Sequence, residues 1–571
     1  RDAFFSYIQP PKEWYNYYWL FQVLIYKLFQ WSGYYGLIAL RCLIYSLTAF
    51  FICLYFIRLN ENRTRLLICM LLFIACTMSL FIRELSVRPH LFSYLFIIVF
   101  LYILEFKKGW IWLLPLIGII WSNVHGIEYP VMFLIVFAYL GEMYWRQYRK
   151  KPSEEGAGKK EKWFLISVLY TIFLTPGMFE LCQTPFSVSF QSAAYQHLYV
   201  SELRTIPFQH FFVFAPISAS GVVSVLNNLI VLFSTVCLLV CLWKRKMRIS
   251  HALLFVGALV LLSRHARFMC EFALLSIPLM RQGVGLMVEK DALKSRLVNF
   301  ILPVVLILLP FVIFQGSLGN RPAYPFSQTN LPAGVVRFLN QNSSGGRIFN
   351  EMNTGGYLPW ALHKRYKIYM DMQMTIFSDN DIAEAQHAFF DINAFRAFIE
   401  KYDPSFITVS LYRPEFEKVA ANFSQFVPVF FDQAELLYVN RHHHPDLAGQ
   451  YAMKSIDPYH YAEVIYANER PEMLLNIFAE ASRILNQDPY NYRAHHILSS
   501  IYVVWRQNDK ALVHAEAVIR IYPELSHGYA LKGDALFAMK RYEEAARARK
   551  KHRLRLRCNQ QTGRHWAVLW R

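Results

Sequence analysis

Apolar runs separated by short charged loops fill the first 315 residues: 35–57, 66–82, 91–106, 110–121, 129–145, 163–180, 222–243, 251–263, 268–286 and 297–315. Each is long enough, or nearly so, to cross the hydrocarbon core of a bilayer as a helix, which takes about 20 residues. The runs at 110–121 and 251–263 are short and read as tilted or re-entrant helices, so the expectation is about ten spans. Ahead of them, Trp19–Trp31 mixes aromatic and polar positions in a way that suits a helix lying along the membrane interface, with Trp14, Trp19 and Trp31 at headgroup level. Residues 1–34 thus read as a loop carrying an interfacial helix, and 35–315 as a polytopic α-helical membrane domain.

Beyond 315 the period changes. Residues 316–445 read as a small α/β domain: helix Ala333–Leu339, strand Arg347–Asn350, helix Gly356–His363, strand Lys367–Asp371, helix Asp381–Phe389, strand Phe406–Ser410, helix Pro414–Phe423, and the strand pair Phe426–Phe431 and Glu435–Asn440. From 446 to 546 the pattern is helical throughout. A 34-residue period places Leu498, Ser499, Tyr502, Ala511 and Ala515 in one copy and Tyr529, Gly533, Leu536 and Ala545 in the next. That alternation of small and large residues predicts a tetratricopeptide-like solenoid, in which paired helices approach closely. The period fails after Ala546, and the basic tail 547–571 is expected to lie outside the fold.

Composition agrees with the pattern. A chain that is 55% hydrophobic and 17% aromatic is too apolar for an ordinary soluble enzyme. The formal net charge of +19 sits in loops and in the tail, which speaks for membrane topology rather than nucleic acid. One alternating set of loops holds Arg58, Arg63 and Arg65, then Lys107 and Lys108, a cluster over 146–162, Lys244–Arg248, and Lys290–Arg296; the other holds only Arg83, Arg88, Arg204, Arg264 and Arg267. The richer set is cytoplasmic by the positive-inside rule, which puts the loops near 83–90, 122–128, 181–221 and 264–267, and all that follows 316, outside. The 181–221 segment, the longest connection, reads as a lid. The chain opens on Arg1 without a leader, which points to an N-terminally truncated reading frame. Most of the nine cysteines lie in apolar runs as packing residues, with no paired-Cys metal signature, and the consecutive His442, His443 and His444 point to alternating faces rather than to one ion.

Candidate chemistry gathers at the outer ends of the spans. Arg83, Glu84, Arg88 and His90 form one cluster, Asn123, His125 and Glu128 another, Glu202 and Arg204 a third, and Arg264, His265, Arg267 and Glu271 a fourth, with Arg41 in the outer part of the first span. Arginines kept on the side where positive charge is sparse suit an anion, and planar guanidiniums grip two phosphate oxygens at once. Ionisable groups at membrane depth are costly unless they face a cavity, which favours Arg41 and Glu271 as functional.

Three stretches, Ser86-Val87-Arg88-Pro89-His90-Leu91-Phe92, Trp121-Ser122-Asn123-Val124-His125-Gly126 and Ser263-Arg264-His265-Ala266-Arg267-Phe268, resemble the recurring segments of large bacterial membrane proteins related to polyprenyl-phosphate-sugar-dependent glycosyltransferases of GT-C architecture. Arg347-Ile348-Phe349-Asn350, Gly355-Gly356-Tyr357-Leu358 and Ile368-Tyr369-Met370-Asp371 resemble the soluble domain of the same group. The resemblance implies sugar transfer from a polyprenyl-phosphate donor by direct displacement. The clusters offer Arg41, Arg83, Arg88, Asn123, Arg204, Arg264, His265, Arg267 and Glu271 as substrate-binding residues, and the resemblance implies Arg88 and either Arg264 or Arg267 as the phosphate ligands. Asp2, Glu84, His90 and His125 are the acid/base candidates, because the first outer loop that carries the catalytic carboxylate in the group is not within this sequence. No cofactor is called for beyond a divalent cation that such chemistry would tolerate. The partners expected are the bilayer, the lipid donor and a protein docked on the repeats, in the cytoplasmic membrane with the soluble part outside. A non-catalytic scaffold and a polymerase or ligase of lipid-linked glycans are the alternative readings.

Overall fold

A computed structural model describes residues 5–11, 15–58, 62–83, 85–149, 157–190, 219–289, 330–343, 345–373, 376–461 and 471–570, and positions 304, 308 and 311. It divides into two compact units, one built from residues 15–321 and one from residues 1–14 together with 322–571.

The first unit is helical. Its helices are α1 (Trp19–Ile57), α2 (Arg63–Arg83), α3 (His90–Phe106), α4 (Leu113–Val124), α5 (Tyr129–Tyr148), α6 (Ala157–Leu169), α7 (Met178–Phe190), α8 (Ala219–Trp243), α9 (Ile249–Arg264), α10 (Met269–Leu275) and α11 (Ile277–Met287). Among the described residues four helices are long and apolar enough to cross a membrane, or five if one bent pair counts as a single span. That is fewer than the ten expected, for local reasons. The runs at 91–106, 110–121 and 251–263 form helices of 17, 12 and 16 residues, below the usual spanning length. The run at 163–180 breaks before Pro176, where Thr175 turns extended and the chain bends by 103°. Proline lacks the N–H a helix needs and pushes its predecessor out of the helical region. The run at 268–286 divides at Ser276, just ahead of Pro278. The run at 297–315 lies almost wholly outside the described residues, as do 191–218 of the expected lid, whose first part belongs to α7.

Trp19–Trp31, expected as a helix apart from the spans, is instead the first part of the single kinked helix Trp19–Ile57. α1 is interrupted at Gly33, whose φ of 59° and ψ of −150° lie in a region open to glycine and costly for other residues. Elsewhere small residues set helix spacing. A Cβ on Gly283 of α11 would stand 2.5 Å from the Cys237 side chain and 3.0 Å from its Cα, so α8 and α11 approach as they do only because Gly283 has none.

The second unit holds a five-stranded mixed sheet in the order β2-β1-β3-β5-β4, with β1 Gly346–Asn350, β2 Tyr366–Ile368, β3 Phe406–Ser410, β4 Phe426–Phe431 and β5 Glu435–Asn440. β1 pairs in parallel with β2 and β3, while β5 runs antiparallel to both β3 and β4. One helix escaped the sequence reading, Ile392–Tyr402, capped by the Asp391 side chain accepting from Ala394 N–H. It covers the sheet with Asp379–Phe390, and Phe349 of β1 stacks between their rings, 4.3 Å from Phe389 and 4.0 Å from Phe398.

Residues 5–11 were expected in a membrane loop but instead extend this sheet. Ser6 bridges Ile368 in parallel at the β2 edge, Tyr7 N–H donates to Ile368 O, and Ile368 N–H donates to Phe5 O. The buried Tyr7 ring packs on Tyr369 and Tyr402. An open sheet edge is a row of unpaired backbone groups, and this segment satisfies part of it.

Five helices toward the C-terminus, Pro471–Gln487, Tyr492–Val504, Asn508–Ile521, Ser526–Ala538 and Tyr542–Trp570, pack each on the next. Ala511 and Ala515 are fully buried, and the Ser499 hydroxyl donates to Ala511 O at 2.9 Å. The boundary expected at 547 is not a helix end. The last helix continues, with Arg549 paired to Asp534 and His552 bonded to Ser526 O. Ala, Arg, Lys and Leu are good helix formers even where the apolar repeat has faded.

Candidate functional site

Three helix junctions of the first unit bring the chemistry together: the loop from α2 to α3, the 3-10 turn Gly126–Glu128 between α4 and α5, and the turn Ala266–Phe268 between α9 and α10. At the first junction the Ser86 hydroxyl donates to Arg83 O, and His90 Nε2 lies 3.2 Å from the same carbonyl. A carbonyl oxygen only accepts, so Nε2 carries the proton. Both groups cap the C-terminal end of α2, where carbonyls lack helical partners.

On α3, His90, Ser93 and Tyr94 share one face through their i, i+3, i+4 spacing. Ser93 accepts from Trp121 Nε1 at 2.9 Å and shares a 2.6 Å hydrogen bond with His125 Nδ1, fixing the imidazole beside the second junction. The Tyr18 ring lies 5.6 Å from the His125 ring. At the third junction Arg267 and Glu271 stand four residues apart, with the Arg267 guanidinium 4.8 Å from the Phe268 ring.

Glu128 and Glu271 are buried at 5% and 1% exposure, and one oxygen of each, Oε2, has no hydrogen-bond partner among the described residues. The charges that act on Glu128 are Arg267 and Arg83, and those on Glu271 are Glu128, Arg83 and Arg267. Two carboxyl groups and two guanidiniums therefore act on one another within the cluster. His90 and His125, both buried, feel the same two arginines. Orphaned carboxylate oxygens in such a place are costly unless a ligand or a proton satisfies them.

A second polar network ties the opposite ends of α3, α5 and α9. Arg248 bonds Glu105 at 2.7 Å and Glu142 at 3.1 Å, His251 lies between Glu105 and Gln282, and Glu142 also accepts from Ser250 and Arg146. Every carboxylate oxygen there has a partner, which marks a structural lock rather than a site.

The chain matches no protein-family model and no curated protein. Among solved structures it is similar to the archaeal oligosaccharyltransferase AglB from Archaeoglobus fulgidus, in complex with an inhibitory peptide and a dolichol-phosphate. The two are 10% identical over 83% of this chain and 67% of that one, at a TM-score of 0.32. A likeness of that size decides nothing about activity, and the apolar helices alone establish the membrane character.

Of the residues expected at the site, Arg83, His90, His125, Arg267 and Glu271 come together. Buried His265 holds its ring 6.1 Å from Phe268 at the same junction, and Arg264 is exposed at the end of α9. Arg88 is exposed in the first loop, and Arg41 donates to Leu85 O at 2.6 Å. Asn123 has a different role from the substrate binding expected of it. Its Oδ1 accepts from Trp19 Nε1 and its Nδ2 donates to Leu174 O and, within α4, to Ile119 O, so it joins α4 to α1 and to the 174 turn. Asp2, Glu84 and Arg204 lie outside the described residues. Of the three consecutive histidines, His443 pairs with Asp403 and Ser405, while His444 stacks on Phe406. Ser93, Tyr94 and Trp121 were not singled out, and Glu128 was grouped but not chosen. Helical spacing from His90 and His125 was the signal available for them.

Proposed function

We propose that this chain is a membrane glycosyltransferase that moves a sugar from a polyprenyl-phosphate donor to an acceptor on the extracytoplasmic face of the cytoplasmic membrane. The observation that supports it most is the pair of buried carboxylates, Glu128 and Glu271, each with one oxygen that has no hydrogen-bond partner among the described residues, in the field of Arg83 and Arg267. The carboxylates are buried and the two arginines partly exposed, so an incoming phosphate meets the guanidiniums first. In the displacement, the acceptor oxygen forms a bond to the anomeric carbon while that carbon's bond to the phosphate oxygen breaks and its electron pair leaves with the polyprenyl phosphate. Arg83 and Arg267 stabilise the charge that develops there, and Glu271 takes the acceptor's hydroxyl proton. The extracytoplasmic face is supported by Lys107, Lys108, Lys244 and Lys246, which lie near the helix ends opposite to the cluster. The repeat helices of the second unit are the surface we assign to a protein partner.

The test is transfer by the protein in membranes supplied with a panel of radiolabelled polyprenyl-phosphate sugars. Arg267→Ala and Glu271→Gln are each expected to lower transfer roughly 100-fold or more at unchanged protein level, as loss of a general base or of phosphate stabilisation does. Transfer that neither substitution changes would remove the site from the chemistry.

A further inference from the structure

The last helix, Tyr542–Trp570, packs on the helix before it and exposes its opposite side, where the charge is of one sign. We propose that this exposed face binds the anionic head groups of a phospholipid bilayer. Only the outer face of this one helix is involved, so the other faces of the repeat helices stay free for a protein partner, and the transfer chemistry plays no part.

Between Arg547 and Leu556 the helix holds six basic residues, Arg547, Arg549, Lys550, Lys551, Arg553 and Arg555, and no acid. All six are exposed. Ala545 and Ala548 are buried against the fold, so the side that Arg547, Lys550 and Leu554 share through spacings of three and four points away from it. Few counter-charges answer them. Arg549 pairs with Asp534 at 3.1 Å and Arg547 lies 3.9 Å from Glu543, whereas Lys550, Arg553 and Arg555 have no acidic partner among the described residues. Like charges one turn apart repel and weaken a helix, and the outermost helix of a solenoid needs only a polar outer face to stay soluble. Mixed charges would supply that with less repulsion. Positive charge concentrated on one exposed face instead fits an anionic partner.

The apolar residues among the charges favour a lipid surface over other polyanions. Leu554 is 55% exposed between Arg553 and Arg555, one turn beyond Lys550. The rings of Tyr542 and Phe537, both more than half exposed, pack 5.4 Å apart where the helix begins. Leucine and aromatic rings gain by entering the boundary between head groups and acyl chains, while Lys and Arg extend their charges to the phosphates. A nucleic-acid backbone offers Leu554 no such boundary. A bilayer is also the anionic surface that this chain keeps near itself, because its own helices are apolar enough to span one, and tethering favours even a weak contact. The attraction of each Lys or Arg to such a surface falls off within a Debye length, which makes the contact sensitive to salt.

The experiment is flotation of the full chain, held in nanodiscs of phosphatidylcholine, with vesicles of phosphatidylcholine alone or with phosphatidylglycerol added. Expected is flotation with the phosphatidylglycerol vesicles only, lost on going from about 0.1 M to about 0.5 M salt. Lys550→Gln combined with Arg553→Gln is expected to weaken that binding roughly twentyfold, and Leu554→Gln roughly threefold. Lys364→Gln combined with Arg365→Gln, which takes the same charge from exposed positions beside β2, is expected to leave it unchanged. The salt response of the wild type decides the matter if a variant fails to fold. No flotation, or equal flotation with both kinds of vesicle, overturns the assignment. So does equal loss from the two double substitutions, since binding would then follow net charge and not this face. A single-stranded oligonucleotide that displaces the vesicles at equal phosphate concentration would make the face a nucleic-acid site and overturns it as well.

Discussion

At the residue scale, burial decides more than identity does. Glu435 of β5 is 1% exposed, and burial raises its pKa to about 8. Between about 4.5 and 8 the folded state thus holds a proton that the unfolded chain has released, so stability falls as pH rises through that window. Glu435→Gln, which keeps the shape of the protonated acid, is expected to remove the decline, as measured by denaturant unfolding of the second unit's fluorescence between pH 5 and 9. An unchanged slope would mean that Glu435 is ionised in the fold. At the candidate site, Arg83, His90, His125, Arg267 and Glu271 were legible in the sequence because charged residues between apolar runs are conspicuous. Ser93, Tyr94 and Trp121 were hidden because each is an ordinary member of an apolar helix. What distinguishes them is contact: Ser93 stands between Trp121 and His125.

At the element scale, the breaks matter as much as the helices. Pro176 and Pro278 divide runs that hydropathy alone reads as continuous, because hydropathy counts side chains and ignores the missing N–H. Close packing was equally invisible. Gly283 looks like a lapse in helix propensity, yet it is where α8 and α11 come nearest. Gly283→Ala is expected to destabilise the membrane unit by about 1–3 kcal/mol, since the new methyl must displace backbone as well as the Cys237 side chain. The check is the midpoint of thermal aggregation in detergent, set against Gly285→Ala, where a Cβ would meet nothing within 4 Å. Equal effects at both positions would show that helix spacing is not involved. In the sheet unit, strands β3, β4 and β5 appear where alternation put them. Ile392–Tyr402 was missed because the expectation ran one helix straight to the next strand, without seeing that Asp391 begins a second.

At the scale of the whole molecule, the sheet and the C-terminal helices of the second unit respond oppositely to acid. Histidines link the C-terminal helices: His495 Nδ1 lies 2.8 Å from His514 Nδ1, and the rings of His496 and His527 lie 6.1 Å apart. Burial pulls His496 down to about 3 and His514 to about 4, and lowers His495 and His527 as well. These groups are neutral in the fold and bind protons when unfolded below about pH 6.5, so their stabilising contribution is present above that pH and is lost as pH falls. Hydrogen exchange of the full chain is expected to speed in residues 492–556 on going from pH 7 to pH 5, after correction for intrinsic rates, while the sheet around Glu435 slows. Parallel changes in both regions would refute the assignment.

The sequence by itself determined where helices are apolar, where strands alternate, and where charge stands at helix ends, because each is a matter of local composition and period. It did not determine that residues 5–11 complete the edge of a sheet formed more than 300 positions later, or that Glu128 and Glu271 share two arginines. Both depend on segments far apart in the chain meeting in space, and no local pattern encodes which of several apolar helices will be neighbours. That choice was made by packing, through Gly283 at one contact and through the satisfied ion network of Glu105, Glu142 and Arg248 at another.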